Sequence, residues 1–171
     1  MKRYIAFDPG LDGGICVLDS GDRMTVMDDI IMPTVPVRVG KKNRRDYDER
    51  ILGEIVRNWR APRMDMILVI EKQQPFPKQG GVSNFTLGNG FGLLKGIAVG
   101  MGLPYRLVRP REWQDVIYEG IPGEGKERSF AACKKMWPEN PLPVVGVRVK
   151  KFHEGCADAR CIATWAARMG L

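Results

Sequence analysis

Long apolar runs are missing from the 171-residue chain: none approaches the ~18 residues that cross a bilayer, which excludes a membrane-spanning role. A secretory leader is not expected either. Met1-Lys2-Arg3 is a basic start, but the apolar stretch Tyr4-Ile5-Ala6-Phe7 is far too short for the core of a signal peptide. The expected setting is cytoplasmic, in a bacterium or a phage-infected host. Cysteine is scarce, and Cys16, Cys133, Cys156 and Cys161 are too scattered to suggest a disulfide framework. His153, Cys156 and Cys161 fall close together, but zinc fingers use two tight ligand pairs and only one cluster exists here. Repeats, low-complexity segments and a second domain are also missing, so residues 1–171 are read as one domain.

Positive charge is in excess. The net charge of +7 favours a polyanionic partner, because Lys and Arg release counterions when they neutralise phosphates. A soluble protein that merely happens to be basic is the plainer reading of charge alone.

Hydrophobic patterning predicts the elements. Tyr4-Ile5-Ala6-Phe7 reads as a buried strand ending in Asp8, followed by the turn Pro9-Gly10-Leu11-Asp12-Gly13-Gly14. Ile15 to Leu18 and Met24 to Met27 read as strands joined by a hairpin signal. Met32 to Tyr47, with two prolines and five basic residues, reads as a long irregular loop. Asp48 to Trp59 has a helical apolar face at Ile51, Leu52, Ile55, Val56 and Trp59, and Pro62 follows its end. Met66 to Ile70 is a continuous apolar run ending in Glu71, the pattern of a strand buried on both faces. A helix over Asn84 to Met101, a strand over Tyr105 to Val108 and helices around Glu112 to Tyr118, Lys126 to Trp137 and Glu154 to Met169 complete the chain. Three strands followed by βαβ units imply an α/β fold, a mixed five-stranded sheet with helices on both faces.

Acids at strand ends are the chemical signal. Asp8 ends the first strand and Glu71 the fourth. A desolvated carboxylate is costly without a cation or hydrogen bonds, and two placed side by side repel each other. Asp158 lies on the last helix, with Glu154 at i−4 on the same face. If that helix crosses the strand ends, four carboxylates converge. Two Mg²⁺ ions about 4 Å apart could then clamp an in-line attack of water on a phosphodiester. Taken singly, each acid has an ordinary explanation as a turn cap, a helix-dipole partner or the polar end of a strand.

The motifs together resemble the RuvC family of Holliday junction resolvases. Ile5-Ala6-Phe7-Asp8-Pro9-Gly10-Leu11-Asp12-Gly13-Gly14 resembles its first-strand motif, and Val69-Ile70-Glu71-Lys72-Gln73 its second acidic strand. Leu87-Gly88-Asn89-Gly90-Phe91-Gly92 resembles its glycine-containing helix start. His153-Glu154-Gly155-Cys156-Ala157-Asp158-Ala159, continued by Cys161-Ile162-Ala163, resembles its C-terminal acidic helix. The motifs stand in the family's order over nearly the whole chain, closest to its phage-type members. The resemblance implies an RNase H-like fold, Mg²⁺ or Mn²⁺ as metal, and a homodimer whose two sites cut opposite strands of a four-way junction. Asp8, Glu71 and Asp158 match the family's acids. Its usual fourth ligand lies three residues before the last Asp, where this chain has Gly155. Glu154, four before, is therefore chosen, and His153 becomes a candidate if the helix starts after it. Asp12 is read as a turn residue.

Arg38, Lys41, Lys42, Arg44 and Arg45 in the long loop, with Lys72, Lys78 and Lys126, are the candidate phosphate contacts. The family carries an aromatic residue after its second acid that stacks at the junction, which implies Phe76; packing on the domain surface is the alternative. Gly88, Gly92, Gly96 and Gly100 recur every four residues, at a helix cost of about 1 kcal/mol each relative to Ala. Such a stripe admits a close backbone, either the domain's own sheet or another subunit's helix, and the resemblance favours the dimer. Trp59, Trp113, Trp137 and Trp165 are read as core or interface aromatics.

Three other functions fit parts of this pattern. A relaxed nuclease cutting flaps, forks or RNA–DNA hybrids would share the fold. A non-catalytic DNA-binding module would share it without the acids. Asp8-Pro9-Gly10 also resembles the phosphate loop of actin-like ATPases, but those need two such domains.

Overall fold

Alternate residues of the first strand, β1 (Lys2–Asp8), enter two different cores. Tyr4 and Ala6 face one side while Ile5 and Phe7 face the other, as the two-residue period of a strand requires. The computed structural model describes residues 1–75, 80–146 and 151–171. β2 (Gly14–Ser20) and β3 (Met24–Ile31) follow as antiparallel neighbours, with a bulge opposite Val17/Leu18 that leaves Met27 unpaired.

The expected loop that comes next is instead an antiparallel ribbon, β4 (Thr34–Val39) and β5 (Lys42–Tyr47), with Gly40 at φ 61° in its turn. Val35, Val37 and Val39 carry a period-two signal that Pro36 and the basic residues obscure. A ribbon with free edges tolerates a proline that a central strand would not.

α1 (Glu49–Asn58) is capped by Asp48, whose side chain accepts from the Ile51 N–H at 2.9 Å. β6 (Asp65–Glu71) pairs parallel with β1, and after α2 (Gly81–Gly100) comes β7 (Tyr105–Val108), parallel to β6. α3 (Pro110–Ile117), α4 (Glu127–Met136), the two-residue strands β8 (Val144–Val145) and β9 (Lys151–Phe152), and α5 (Glu154–Arg168) complete the order. The main sheet reads β3-β2-β1-β6-β7. It is mixed and five-stranded, as expected from the sequence.

Helices cover both faces. Leu52 and Val56 of α1 and Leu94 and Ala98 of α2 pack on Ile5, Phe7, Val17, Leu68 and Ile70. On the other face α3, α4 and α5 meet Tyr4, Ala6, Cys16, Leu18 and Val69. α5 is buried from Gly155 to Cys156 and Ala157, and again from Ala159 through Ala166. Arg160 lies inside this helix and is fully buried, so its charge needs partners. Asp29 of β3 supplies the carboxylate, and the Asn140 carbonyl accepts at 2.6 Å. Among the described residues, no helix is long and apolar enough to cross a membrane.

Candidate active site

Phe7 pairs with Ile70 in the parallel β1–β6 ladder, so the next residues, Asp8 and Glu71, end neighbouring strands on one edge of the sheet. α5 reaches that edge through glycine. Gly13 and Gly155 form a backbone bridge between the β1–β2 turn and the first turn of α5. A Cβ on Gly155 would stand 2.4 Å from the Gly13 carbonyl carbon, and one on Gly14 would stand 2.5 Å from the Cys156 nitrogen. No other side chain permits this approach. Gly155, which breaks the family's ligand spacing, is thus the residue that lets α5 dock. Asp158, one turn further on, is brought beside the strand ends.

Protonation reports the crowding. Burial pushes the Asp8 carboxyl well above the ordinary carboxylate range, and the negative charges of Glu71 and Asp158 push it further, against the Lys126 ammonium. Burial also raises Glu71 and Asp158. Hydrogen bonds from Trp113 and Gln73 oppose the rise at Glu71, and Ser129 and Lys126 oppose it at Asp158. Each of these two acids is held by donors. The Trp113 indole N–H donates to Glu71 Oε1 at 2.8 Å and the Gln73 amide to Oε2 at 3.2 Å. The Ser129 hydroxyl donates to Asp158 Oδ1, and Tyr118 Oη lies 2.5 Å from Ser129 Oγ.

Glu154 is placed differently. Lys126 donates to its Oε2, and Lys151 Nζ stands 3.7 Å from its Oε1. The Lys126 hydrogen bond holds the Glu154 carboxyl below its ordinary value. The expected helix face is present, since Glu154 opens α5 one turn before Asp158. α5 also starts after His153, the condition for that residue's candidacy, but the imidazole is used as a cap. Its Nδ1 accepts from the Cys156 N–H at 3.2 Å, and burial lowers its pKa.

Glu71, Trp113, Tyr118, Arg128 and Asp158 line a cleft of about 760 Å³, and Asp8, Arg44, Arg45, Tyr47 and Thr86 line an adjoining one of about 570 Å³. Lys126 lines both. Of the expected phosphate contacts, Arg38, Lys41, Lys42 and Arg44 are exposed on the β4–β5 ribbon, and Lys72 is exposed beside Glu71. Arg45 is exposed but committed: it donates to Asp12 Oδ1 at 2.7 Å, a role in keeping with Asp12 as a turn residue. Phe76 and Lys78 lie outside the described residues.

The donor set fits a hard divalent cation: carboxylate oxygens, several of them buried, with burial and then the neighbouring negative charges raising the Asp8 pKa. The acids share one edge without forming a finished cage. Among the described residues, no group of three or more His, Cys, Asp or Glu side chains stands at cation-holding distances. His153, Cys156 and Cys161 do not form one either.

Three residues that hold the acids carry no sequence signal for this role. Trp113 is core, at 1% exposed, but its N–H also fixes Glu71. Ser129 of α4 reaches Asp158, and Tyr118 at the end of α3 reaches Ser129, by tertiary packing that no sequence spacing signals. Gln73 is different: two residues after Glu71, it stands inside the second acidic motif, where its proximity to the acid is visible.

Sheet order, strand polarity and the final buried helix define an RNase H-like α/β fold. Two solved structures share it nearly end to end. One is Thermus thermophilus RuvC in complex with Holliday junction substrate, 18% identical, TM-score 0.67, covering 99% of this chain and 97% of that one. The other is T. thermophilus RuvC, 16% identical, TM-score 0.61, covering 98% and 96%. The chain therefore has a RuvC-like fold. No family model matches the sequence, and no curated protein matches it.

Proposed function

We propose that the chain is a divalent-metal-dependent endodeoxyribonuclease that resolves four-way DNA junctions by paired nicks. One observation carries the reading: Asp8, Glu71 and Asp158, from two parallel strand ends and a buried helix, are gathered at one sheet edge, where burial raises all three pKa values and neighbouring carboxylates raise them further. A fold of the RuvC type, whose T. thermophilus representative is known with a Holliday junction substrate, makes DNA the natural polyanion.

Asp8, Glu71 and Asp158 would hold Mg²⁺ or Mn²⁺, with Glu154 as the fourth carboxylate. Two ions bound there would supply the positive charge that lets water displace the 3′ oxygen of a phosphodiester. The chain's own residues prepare the ground. Trp113 and Gln73 fix the Glu71 carboxylate, and Ser129, hydrogen-bonded to Tyr118, fixes Asp158. The exposed cations of the β4–β5 ribbon and Lys72 supply phosphate contacts next to the acids.

Residues 1–171 act in this reading as one nuclease unit within a homodimer. Among the described residues, nothing lies within 4 Å of a Cβ placed on Gly88, Gly92, Gly96 or Gly100, so the described part of the chain's own sheet does not account for the stripe. Phe85 and Val99 on the same helix are 78% and 67% exposed. A second copy's helix would cover that face, and two opposed sites suit a junction with two-fold symmetry.

The test is a labelled mobile four-way junction, a fork, a flap and a linear duplex, each with Mg²⁺. The expected result is paired, symmetric nicks in the junction and little cutting of the duplex. Equal cutting of forks and flaps would replace junction resolution with a relaxed branched-DNA activity. No cutting of any DNA, with ATP hydrolysed instead, would overturn the nuclease reading.

A further inference from the structure

Among the described residues, Lys126 is the one lysine that lines both clefts, and it occupies the place where positive charge is most needed. Its ammonium donates to Glu154, and the nearby charges of Glu154, Asp158 and Asp8 all raise its pKa. The pair is open to water: the side chains of Lys126 and Glu154 are 70% and 35% exposed, so the ion pair is exchangeable. The segment leading to Lys126 turns on glycine. Gly120, Gly123 and Gly125 have φ of 65°, 97° and 52°, and no atom lies within 4 Å of a Cβ placed on Gly120 or Gly125. The Lys126 hydrogen bond lowers the Glu154 pKa, whereas burial, and after it the charges of Glu71 and Asp158, raises that of Asp8.

We infer that Lys126 is a built-in counter-cation that withholds Glu154 from the metal site until a divalent ion displaces it. In the metal-free protein the ammonium partly offsets the carboxylate cluster and engages the fourth ligand. On metal binding, two cations cannot share that space, and Lys126 leaves for the cleft, where a DNA phosphate is its next partner. Metal loading and substrate binding are thereby linked through one side chain, and Lys126 is a positioning residue acting through Glu154. The inference rests on the proposed metal-dependent reading of the site.

The experiment is calorimetric titration of Mg²⁺ and Mn²⁺ into the full chain without DNA. Lys126→Met should bind the ions more tightly, by roughly tenfold for the removal of one competing charge at close range. Lys126→Arg, which keeps the cation, should behave as the wild type. In a Glu154→Gln background the Lys126→Met gain should shrink to near nothing. An unchanged or weaker affinity in Lys126→Met, or the same gain with and without Glu154, would overturn the latch while leaving the metal site standing. If wild type, Lys126→Met and Lys126→Arg all fail to bind either ion and junction cleavage survives chelation, the metal reading itself falls and takes the latch with it. Lys126 is exposed, and an unchanged melting profile of each variant in EDTA would show that folding is not the cause.

Discussion

Two groups of glycines in this protein look alike in sequence and behave oppositely in space. Gly13, Gly14 and Gly155 are pressed backbone to backbone, with the nearest main-chain atom between 2.0 and 2.5 Å from a Cβ placed on any of them. Gly88, Gly92, Gly96 and Gly100 meet nothing within 4 Å among the described residues. The first group builds the site, because it lets the buried α5 cross the end of β1. The second group carries a helix cost that the chain itself does not recover. A glycine requirement met inside the fold belongs to stability, and one left unmet points outside it.

The largest contrast is expected between Gly155 and the α2 glycines. Gly155→Ala should destabilise the chain by on the order of 3 kcal/mol, since backbone atoms on both sides must move, and cleavage should disappear with it. Gly92→Leu and Gly96→Leu should leave the far-UV circular dichroism intact while abolishing self-association in sedimentation. If Gly155→Ala melts like the wild type, close docking of α5 is not what holds the site. If the α2 variants unfold, the stripe belongs to the chain's own core.

A second contrast lies among the acids. The Asp8 pKa is raised by burial and then by the charges of Glu71 and Asp158, whereas the Glu154 pKa is lowered by its hydrogen bond from Lys126. Asp8→Asn should therefore stabilise the metal-free protein by about 1 kcal/mol at neutral pH, a common consequence of relieving a functional site. The pH dependence follows in sign. A carboxyl whose folded pKa is raised keeps its proton after the unfolded chain has released it. Its contribution to stability is complete below the ordinary carboxylate range and is lost as pH rises through the raised value. The melting-temperature gap between Asp8→Asn and wild type should widen as pH increases from that range. A constant gap would mean that the Asp8 pKa is not raised in the folded chain.

The basic ribbon gives a smaller, graded effect. Replacing Lys41, Lys42, Arg44 and Arg45 by Ala should weaken binding to all junction sequences alike. It should also flatten the log–log salt dependence by roughly one unit for each phosphate no longer neutralised. The share of Arg45 should be the least, because its guanidinium is already paired with Asp12. An unchanged salt slope would make the ribbon a solvated surface. Smallest of all, His153→Ala should cost about 1 kcal/mol through removal of a helix cap and leave Mg²⁺-supported cleavage nearly intact. A dead His153 variant would move the fourth ligand from Glu154 to the imidazole.

What is legible in the sequence follows the range of the forces involved. Strand alternation and helical faces are local, so β1, β2, β6, α1 and α5 can be read directly, as can the acids that end β1 and β6. β4 and β5 are hidden because an exposed ribbon has little apolar alternation, and Pro36 reads as a breaker. The partners of the acids, Trp113 and Ser129, cannot be read at all. Their hydrogen bonds connect residues 42 and 29 positions apart and exist only once α3 and α4 are packed. Gly155 is visible as a departure from the expected ligand spacing, but the reason for it is a backbone bridge to Gly13, which only the docked helix reveals.

Asp8, Glu71 and Asp158 are proposed to form a hydrolytic centre on a junction-binding surface. Single-turnover cleavage of a labelled four-way junction, measured with Mg²⁺ beside equilibrium binding for wild type and Asp158→Asn, tests it most directly. Paired nicks are expected from the wild type, and no nicking with near-normal junction affinity from the variant, because affinity comes from Lys and Arg on phosphates. Near-normal turnover by Asp158→Asn would contradict it.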